Sequence, residues 1–422
     1  MRYVFLYIIF TLPCFLSAQS LSIEQLWQQL EDSRAYEKET LRVELQKSEQ
    51  VLNRLDRLPL VYGDLNLQRN LIVPTTPVPA IAFDPAAPAG SFIPLRFATD
   101  WSSKVGAQLE WRLFDPSRKA TEAEANLLTE KATISAQDAK QTWRREATLA
   151  YAAIVLASAQ YEMAIADSST YAELLRISRD RYEAGRETLE NYLDAQQQME
   201  RKKIQLAEAW SVLLVANIDL ARYADVTSFT KLNSGLEHII SLLKSYEPTY
   251  YGKLLADVDK RLADQRTRDV RRQYLPTLSF NAYLGTQYFA NELQLFNNQA
   301  WYGNSYANIA LRLPISQYFQ RQTALRQATM EGDLRKLDWA DEQQHEDIAQ
   351  DKRMAKLQAV EKRIAGLEHI VSLCVEKKAV LLTAFQAGKI LLASYNVANS
   401  EYIKAQKELW QAQYDWIDNA MK

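Results

Sequence analysis

Cysteine, histidine, glycine and proline are all scarce in this chain of 422 residues. Two cysteines, Cys14 and Cys374, and three histidines, His238, His345 and His369, lie scattered along it. That leaves no basis for a zinc centre, a disulfide framework or a Cys/His nucleophile pair. No Ser-centred elbow and no phosphate-cradling glycine loop is present either. Asp257, Asp259 and Asp264 form an acidic run, but without the loop glycine of a calcium site. The chain is therefore expected to be no enzyme and to hold no metal or cofactor. A formal charge of −2 with no basic tail excludes a nucleic-acid partner. A 47% share of hydrophobic residues excludes disorder.

The few prolines are informative by position. Six of the 12 lie between Pro74 and Pro94, none lies between Pro116 and Pro248, and none follows Pro314. Proline in a helix interior costs about 3 kcal/mol. Two proline-free blocks rich in Ala, Leu, Glu, Gln, Lys and Arg therefore read as very long helices. Ser117 to Ala184 and Gln317 to Ala387 would each reach about 100 Å at 1.5 Å per residue. Returning helices are expected from Glu187 to about Arg222 and after Gly388, with another from about Pro248 to Arg272.

Residues 1–18 have the form of a secretory signal peptide. Arg2 precedes the apolar run Val4 to Leu16, and Ala18 offers a small residue for cleavage. Thr11, Leu12 and Pro13 before Cys14 match a lipidation site poorly, and Cys374 sits at an apolar helical position. The best later candidate for a membrane helix, Leu149 to Tyr161, falls short of the ~20 residues required. An exported chain of this kind would cross a membrane by strands.

Four segments alternate with period two, which places one residue set on each face of a sheet. Val61, Gly63, Leu65 and Leu67 alternate with Asp64, Asn66, Gln68 and Asn70. Val105, Ala107, Leu109, Trp111 and Leu113 alternate with Lys104, Gly106, Gln108, Glu110 and Arg112. Leu278, Phe280, Ala282 and Leu284 form the apolar set of the third segment; Ala307, Ile309, Leu311 and Leu313 form that of the fourth. Each segment has roughly the 9–11 residues of a transmembrane strand. Asp64, Lys104, Glu110 and Arg112 on one face suit a water-filled lumen, and Trp101, Tyr274, Tyr288, Phe289, Trp301, Tyr302 and Tyr306 suit interfacial girdles. Leu71 to Pro94, proline-rich and aperiodic, is expected to be an irregular loop outside the cell.

The chain also repeats itself. Ala107, Leu109, Trp111 and Leu113 match Ala307, Ile309, Leu311 and Leu313, and Tyr182-Glu183-Ala184-Gly185-Arg186 matches Phe385-Gln386-Ala387-Gly388-Lys389. Self-similarity on this scale marks a duplicated unit. Residues 19–224 form the first repeat: a helix, a hairpin at about 59–114 and a helical hairpin at 117–224. Residues 225–422 form the second, with a hairpin at about 275–315 and helices over 317–421. After each glycine a heptad seam follows. In the first copy it runs through Tyr192, Ala195, Met199, Lys202, Leu206, Ala209, Leu213, Ala216 and Leu220, broken only by Lys202. In the second it runs through Leu391, Tyr395, Ala398, Tyr402, Ala405, Leu409, Ala412 and Trp416. Gly185 and Gly388, each flanked by helix, are expected to form turns that exploit left-handed backbone.

With these features in place, the chain resembles the TolC family of outer-membrane efflux proteins over essentially its whole mature length. Tyr274-Leu275-Pro276-Thr277-Leu278 resembles the family's approach to a strand, and Leu113-Phe114-Asp115-Pro116-Ser117-Arg118 its strand-to-helix exit, without the usual glycine pair. Arg181 to Ala195 and Phe385 to Asn399 resemble its helix-turn-helix at the periplasmic tip. The resemblance implies a mainly α protein with a transmembrane β-barrel: four strands per chain, a trimeric twelve-stranded barrel and an α-helical tunnel. It implies a homotrimer in outer-membrane lipid that acts as the passive exit duct of a tripartite efflux or secretion system, partnered by a periplasmic adaptor and an inner-membrane pump. A soluble periplasmic coiled-coil adaptor is the alternative. The family docks adaptors at the tip, which makes Leu189 and Leu392 candidate contacts beside Gly185 and Gly388. The family also closes the tip with acidic rings from the second hairpin. Here those positions hold Ser394 and Val397, whereas the first copy has Asn191 and Asp194 with Glu190 beside them. The pore constriction is therefore expected at Asp194, with Glu190 second.

Overall fold

A computed structural model describes residues 21–224, 232–296 and 298–422; the signal segment 1–18 lies outside these, and the expected repeat boundary at 224/225 falls on their edge. Two compact units emerge, and each draws on both sequence repeats. One comprises the chain up to Val43, Thr133–Leu255 and Ala340–Lys422; the other comprises Glu44–Ala132 and Ala256–Trp339.

The second unit is built around an antiparallel sheet of β1 (Leu60–Arg69), β4 (Trp101–Phe114), β5 (Thr277–Ala290) and β6 (Trp301–Arg312), in the order β1-β4-β5-β6. β4 and β5 are 14 residues long, longer than the alternation suggested. The register carries the alternation across all four strands. Val61 faces Leu109, Leu109 faces Ala282, and Ala282 faces Ala307. One row along, Leu60 faces Glu110, Glu110 faces Asn281, and Asn281 faces Asn308. A bulge between Arg112 and Phe114 shifts the register where β4 leaves the sheet. Aromatics gather at the loop end: Tyr288 packs on Trp301 at 5.3 Å and Phe289 on Tyr302 at 6.2 Å. Tyr306 is an exception to the expected girdle. It lies mid-strand, stacked on Tyr283 at 5.9 Å.

The segment between β1 and β4 corrects a second expectation. It contains a two-stranded ladder of β2 (Thr75–Pro79) and β3 (Phe92–Arg96), so the chain has six strands among the described residues. Pro77 pairs with Pro94 and Pro79 with Phe92, while Ala80 N–H bonds to the Ser91 carbonyl at 2.9 Å. Antiparallel pairs alternate between bonded and non-bonded. The prolines share the non-bonded rows, where no N–H is needed, so composition alone could not exclude a ladder.

The first unit is helical: α1 (Ile23–Glu31), α4 (Leu189–Leu220), α5 (Leu236–Leu243), α8 (Leu392–Ala420) and parts of α2 (Arg34–Leu55), α3 (Arg118–Glu183), α6 (Tyr251–Arg272) and α7 (Arg321–Gln386). α3 and α7 are both 66 residues long, and both of their ends are offset by 203 positions. Ser22 starts α1 with a capping box: its hydroxyl accepts from Gln25 N–H at 3.2 Å, and the Gln25 side chain accepts from Ser22 N–H at 2.9 Å. Ile23, Leu26 and Leu30 then fall on one helix face and are buried with Tyr151, Ile154, Leu220, Ile239, Trp416 and Ile417. Each such side chain contributes about 1.5–3 kcal/mol on burial. Tyr151 keeps its polar tip satisfied there, donating to the Leu21 carbonyl at 2.8 Å and accepting from Ser234 N–H at 3.1 Å.

Contrary to the sequence reading, one stretch of α3 is long and apolar enough to cross a membrane by length and composition. Tyr151, Ala152, Ile154 and Ala157 of α3 lie in the core just described, and 22% of the apolar stretch is buried within the chain.

Candidate functional sites: a two-faced sheet and paired helical turns

Alternation gives the sheet two chemically distinct faces. The apolar face carries Leu65, Leu284 and Ile309 at 79, 73 and 67% exposure, aliphatic groups with nothing of this chain covering them. The other face collects Asp64, Lys104, Glu110 and Arg112, and links them. Lys104 Nζ lies 3.5 Å from Asp64. Glu110 accepts from the Tyr62 hydroxyl at 2.6 Å and from the Gln108 amide at 2.9 Å. Arg112 donates to Asp56 and, at 3.3 Å, to Asp115. At the centre, Tyr283 lies across Gly106 and Gly285. A Cβ on either glycine would sit 2.5 Å from the Tyr283 hydroxyl, so only glycine admits the ring. Lys104 Nζ sits 4.0 Å from the Tyr283 ring centroid. β1 and β6 each pair on one side only, leaving both outer edges of the four-stranded sheet open.

The helical turns repeat atom for atom. Gly185 and Gly388 have φ of +69° and +72°. Gly185 N–H bonds to the Tyr182 carbonyl at 2.9 Å and Arg186 N–H to the Arg181 carbonyl at 2.8 Å. Gly388 N–H bonds to Phe385 and Lys389 N–H to Ala384, both at 2.9 Å. These are the two bonds of the Schellman motif, with glycine at the left-handed position. Arg181 of α3 adds a link between the turns: its guanidinium donates to the Phe385 and Gln386 carbonyls at 2.6 and 3.1 Å and lies 4.8 Å from the Phe385 ring.

The leucines beside the turns differ. Leu189 is 51% exposed, as a docking contact requires. Leu392 is 5% exposed and packs with Tyr171, Leu174, Ala195, Phe385 and Tyr395, so it is a core residue and its candidacy as a contact fails. The exposed leucine of that turn is Leu391, which precedes α8 as its N-cap rather than opening the buried seam. Asp194 and Glu190 are both exposed, and neither makes an ion pair among the described residues. Asp194 lines a groove of about 290 Å³ with Asn191, Gln198, Leu392, Ala393 and Asn396.

Apart from Leu391, the heptad seams face inward as spaced. Every seam position of α4 is buried or half-buried, including Lys202. Lys202 Nζ pairs with Asp167 at 2.8 Å, with the two side chains 9 and 5% exposed, and Asp167 also accepts from Asn399 at 2.9 Å. The break in the heptad was the only sequence signal for this layer. Asp167 and Asn399 carry none of their own, because nothing in their spacing shows which helices meet.

No family model matches the sequence, and no curated protein matches it. Solved structures do. The outer membrane protein VceC of Vibrio cholerae superposes with a TM-score of 0.70 at 16% identity, covering 94% of both chains. CusC superposes at 0.71 and 15% identity, covering 94% of this chain and 90% of that one. The CmeC outer membrane channel of Campylobacter jejuni superposes at 0.70 and 14% identity, covering 94% and 84%. The chain has the fold of these outer-membrane channels, which bears out the sequence resemblance at the level of architecture.

Proposed function

We propose that the protein is the outer-membrane exit duct of a tripartite export system, working as a homotrimer. The two-faced sheet with open edges carries this reading. Four strands cannot close, since the smallest transmembrane barrels have about eight, but three copies supply twelve and remove every edge. The aliphatic face would then meet lipid, and Asp64, Lys104, Glu110 and Arg112 would line a wet lumen. The helices would form a tunnel in the periplasm that receives cargo from an inner-membrane pump through an adaptor docked near Gly185, Leu189 and Gly388. The duct would be passive and need no catalytic group or cofactor. A soluble adaptor has no use for a sheet with an uncovered aliphatic face.

Purified protein should migrate on gels as a heat-dissociable trimer and form ion-conducting pores in planar bilayers. A monodisperse, detergent-independent monomer that forms no pores would refute the proposal. Within it, Asp194 is assigned to the pore constriction. Three carboxylates about one axis focus a negative potential that favours cations. Asp194→Ala should lose cation selectivity or block by divalent ions; wild-type values would remove Asp194 from the constriction, leaving Glu190 as the next residue to test.

A further inference from the structure

The two ends of the four-stranded sheet differ sharply in charge. At the helix-bearing end, residues 54–57, 112–119, 268–273 and 312–326 hold eleven Arg and Lys against three acidic residues, in a chain whose formal charge is −2. At the loop end, residues 70–100 and 291–300 hold one basic and three acidic residues. The strand register places all four basic segments at one end: Leu60 opposes Glu110, Phe114 opposes Leu278, and Thr277 opposes Arg312. Some of the cations are committed, as Arg54 and Arg57 are to Glu122. Lys119, Arg268, Arg271 and Arg326 are exposed, and none makes an ion pair among the described residues; Arg312, exposed too, falls with Asn308 on the polar face of the sheet.

Apolar side chains stand among these cations. The short turn Ser316–Gln320 leads from β6 into α7. It presents Ile315 at 73%, Tyr318 at 54% and Phe319 at 88% exposure, between Arg312 and Arg326. A cluster of uncompensated cations around exposed aromatic and aliphatic groups has the chemistry of a headgroup layer: phosphates pair with the arginines while the rings enter the acyl boundary. Leu311 of the apolar face and Leu313 beyond it are exposed too and lead along the chain to Ile315.

We infer that this basic collar binds anionic phospholipid headgroups of the leaflet on the helix side, with Ile315, Tyr318 and Phe319 seated in the boundary layer. The inference rests on the proposed membrane location of the sheet. The collar fixes how deep the sheet sits, and a trimer would triple the charge it offers.

The test uses full-length protein reconstituted in phosphatidylcholine vesicles with and without phosphatidylglycerol, then extracted in non-ionic detergent. Retained lipid is measured by native mass spectrometry. Wild type should retain phosphatidylglycerol in excess of its share in the vesicle. Arg268→Gln/Arg271→Gln/Arg326→Gln removes exposed cations that hold no ion-pair partner among the described residues, so folding is preserved. The enrichment should then fall, by up to about fivefold for each charge removed at low salt. Phe319→Ser should keep the headgroup preference and lower the total lipid retained. Lipid retained by wild type without headgroup preference, or wild-type preference in the triple variant, overturns the collar. A thermal shift with inorganic phosphate equal to that with phosphatidylglycerol also overturns it, because the site would then bind phosphate rather than a lipid surface. Protein that retains no lipid and stays dispersed without detergent overturns the membrane reading beneath it.

Discussion

α4 and α8 follow the two matching glycine turns, starting 203 positions apart, and they use the same heptad differently. Of the 29 residues of α8, eleven are buried within the chain. Of the 32 residues of α4, four are: Ala195, Lys202, Ala216 and Leu220. α4 leaves Leu193, Ile204, Val212, Val215 and Ile218 at 51 to 64% exposure, whereas the only large hydrophobic that α8 exposes is Val397. Val212 and Val215 border an open groove of about 420 Å³ whose other wall includes Ala153 and Ala157 of α3. Both helices keep an inward seam, and the outward face of α4 carries an aliphatic surface with nothing in this chain to cover it. In the proposed trimer a second copy supplies the cover.

The strongest way to break this comparison is to charge the surplus face. Val215→Asp/Ile218→Asp should abolish the trimer on size-exclusion chromatography with light scattering while leaving helical circular dichroism unchanged. Val397→Asp in α8 should leave trimers intact. Trimers that survive the double substitution would show that the α4 face serves another purpose.

A second test concerns the one polar seam position. Lys202 stands where the second copy has Ala405, at the shared offset of 203. Lys202→Met would leave Asp167 buried with its ion pair broken and Asn399 as the remaining hydrogen-bond donor, at a cost of about 3–5 kcal/mol. Lys202→Met/Asp167→Leu should recover most of that loss, since burying a pair costs about as much as the pair returns. Denaturant midpoints decide. If the single substitution costs as little as a surface change, the pair is not desolvated as the structure shows.

The turns are the most symmetric part of the molecule and should respond alike. An L-residue in left-handed backbone costs about 1–2 kcal/mol. No neighbouring atom lies within 4 Å of a Cβ added at Gly185, and only an Arg181 nitrogen at 3.8 Å lies near one at Gly388, so backbone strain is the whole expected penalty. Gly185→Ala and Gly388→Ala should therefore lose stability equally, and Asn at either place should lose less. The caps that follow should respond oppositely. Thr188 accepts from Asn191 N–H at 3.3 Å, while Leu391 makes no side-chain cap bond. Thr188→Ala should cost about 1 kcal/mol and Leu391→Ser should add a similar amount. Equal effects of one sign would deny that the caps distinguish the two copies.

Much of this architecture was legible in sequence because its signals are local and periodic. Absence of proline marked α3 and α7, alternation marked the sheet and separated its faces, and glycine marked both turns. The residues that were misjudged depend on contacts between distant segments. Leu392 is related to Leu189 by the repeat, yet only packing against Tyr171 and Phe385 buries it. Arg181 carried no periodic signal, because its partners are backbone carbonyls some two hundred positions away. The β2–β3 ladder was hidden by composition: prolines argue against a strand until their row in the register is known.

The smallest expected effect follows from another asymmetry at the polar layer. Lys378 of α7 stands where the first copy has Leu175. It is half-buried, and its ammonium lies 4.7 Å from the Tyr402 ring centroid. Burial holds its pKa below the ordinary lysine value, against a partial pull from Asp167 and with a smaller push from Lys202. Between its folded and unfolded pKa values the unfolded chain binds more protons, so stability rises with pH across that window and the gain is complete above the unfolded value. Burial raises the neighbouring phenols of Tyr171 and Tyr395, so their contribution is present below the unfolded tyrosine pKa and is lost as pH rises past about 10. The two trends separate by pH. As pH rises towards the unfolded lysine pKa of about 10.4, the urea midpoint of wild type should rise relative to that of Lys378→Met, and above that both should fall together. Parallel curves across the lower window would mean that Lys378 is hydrated as fully as in the unfolded chain.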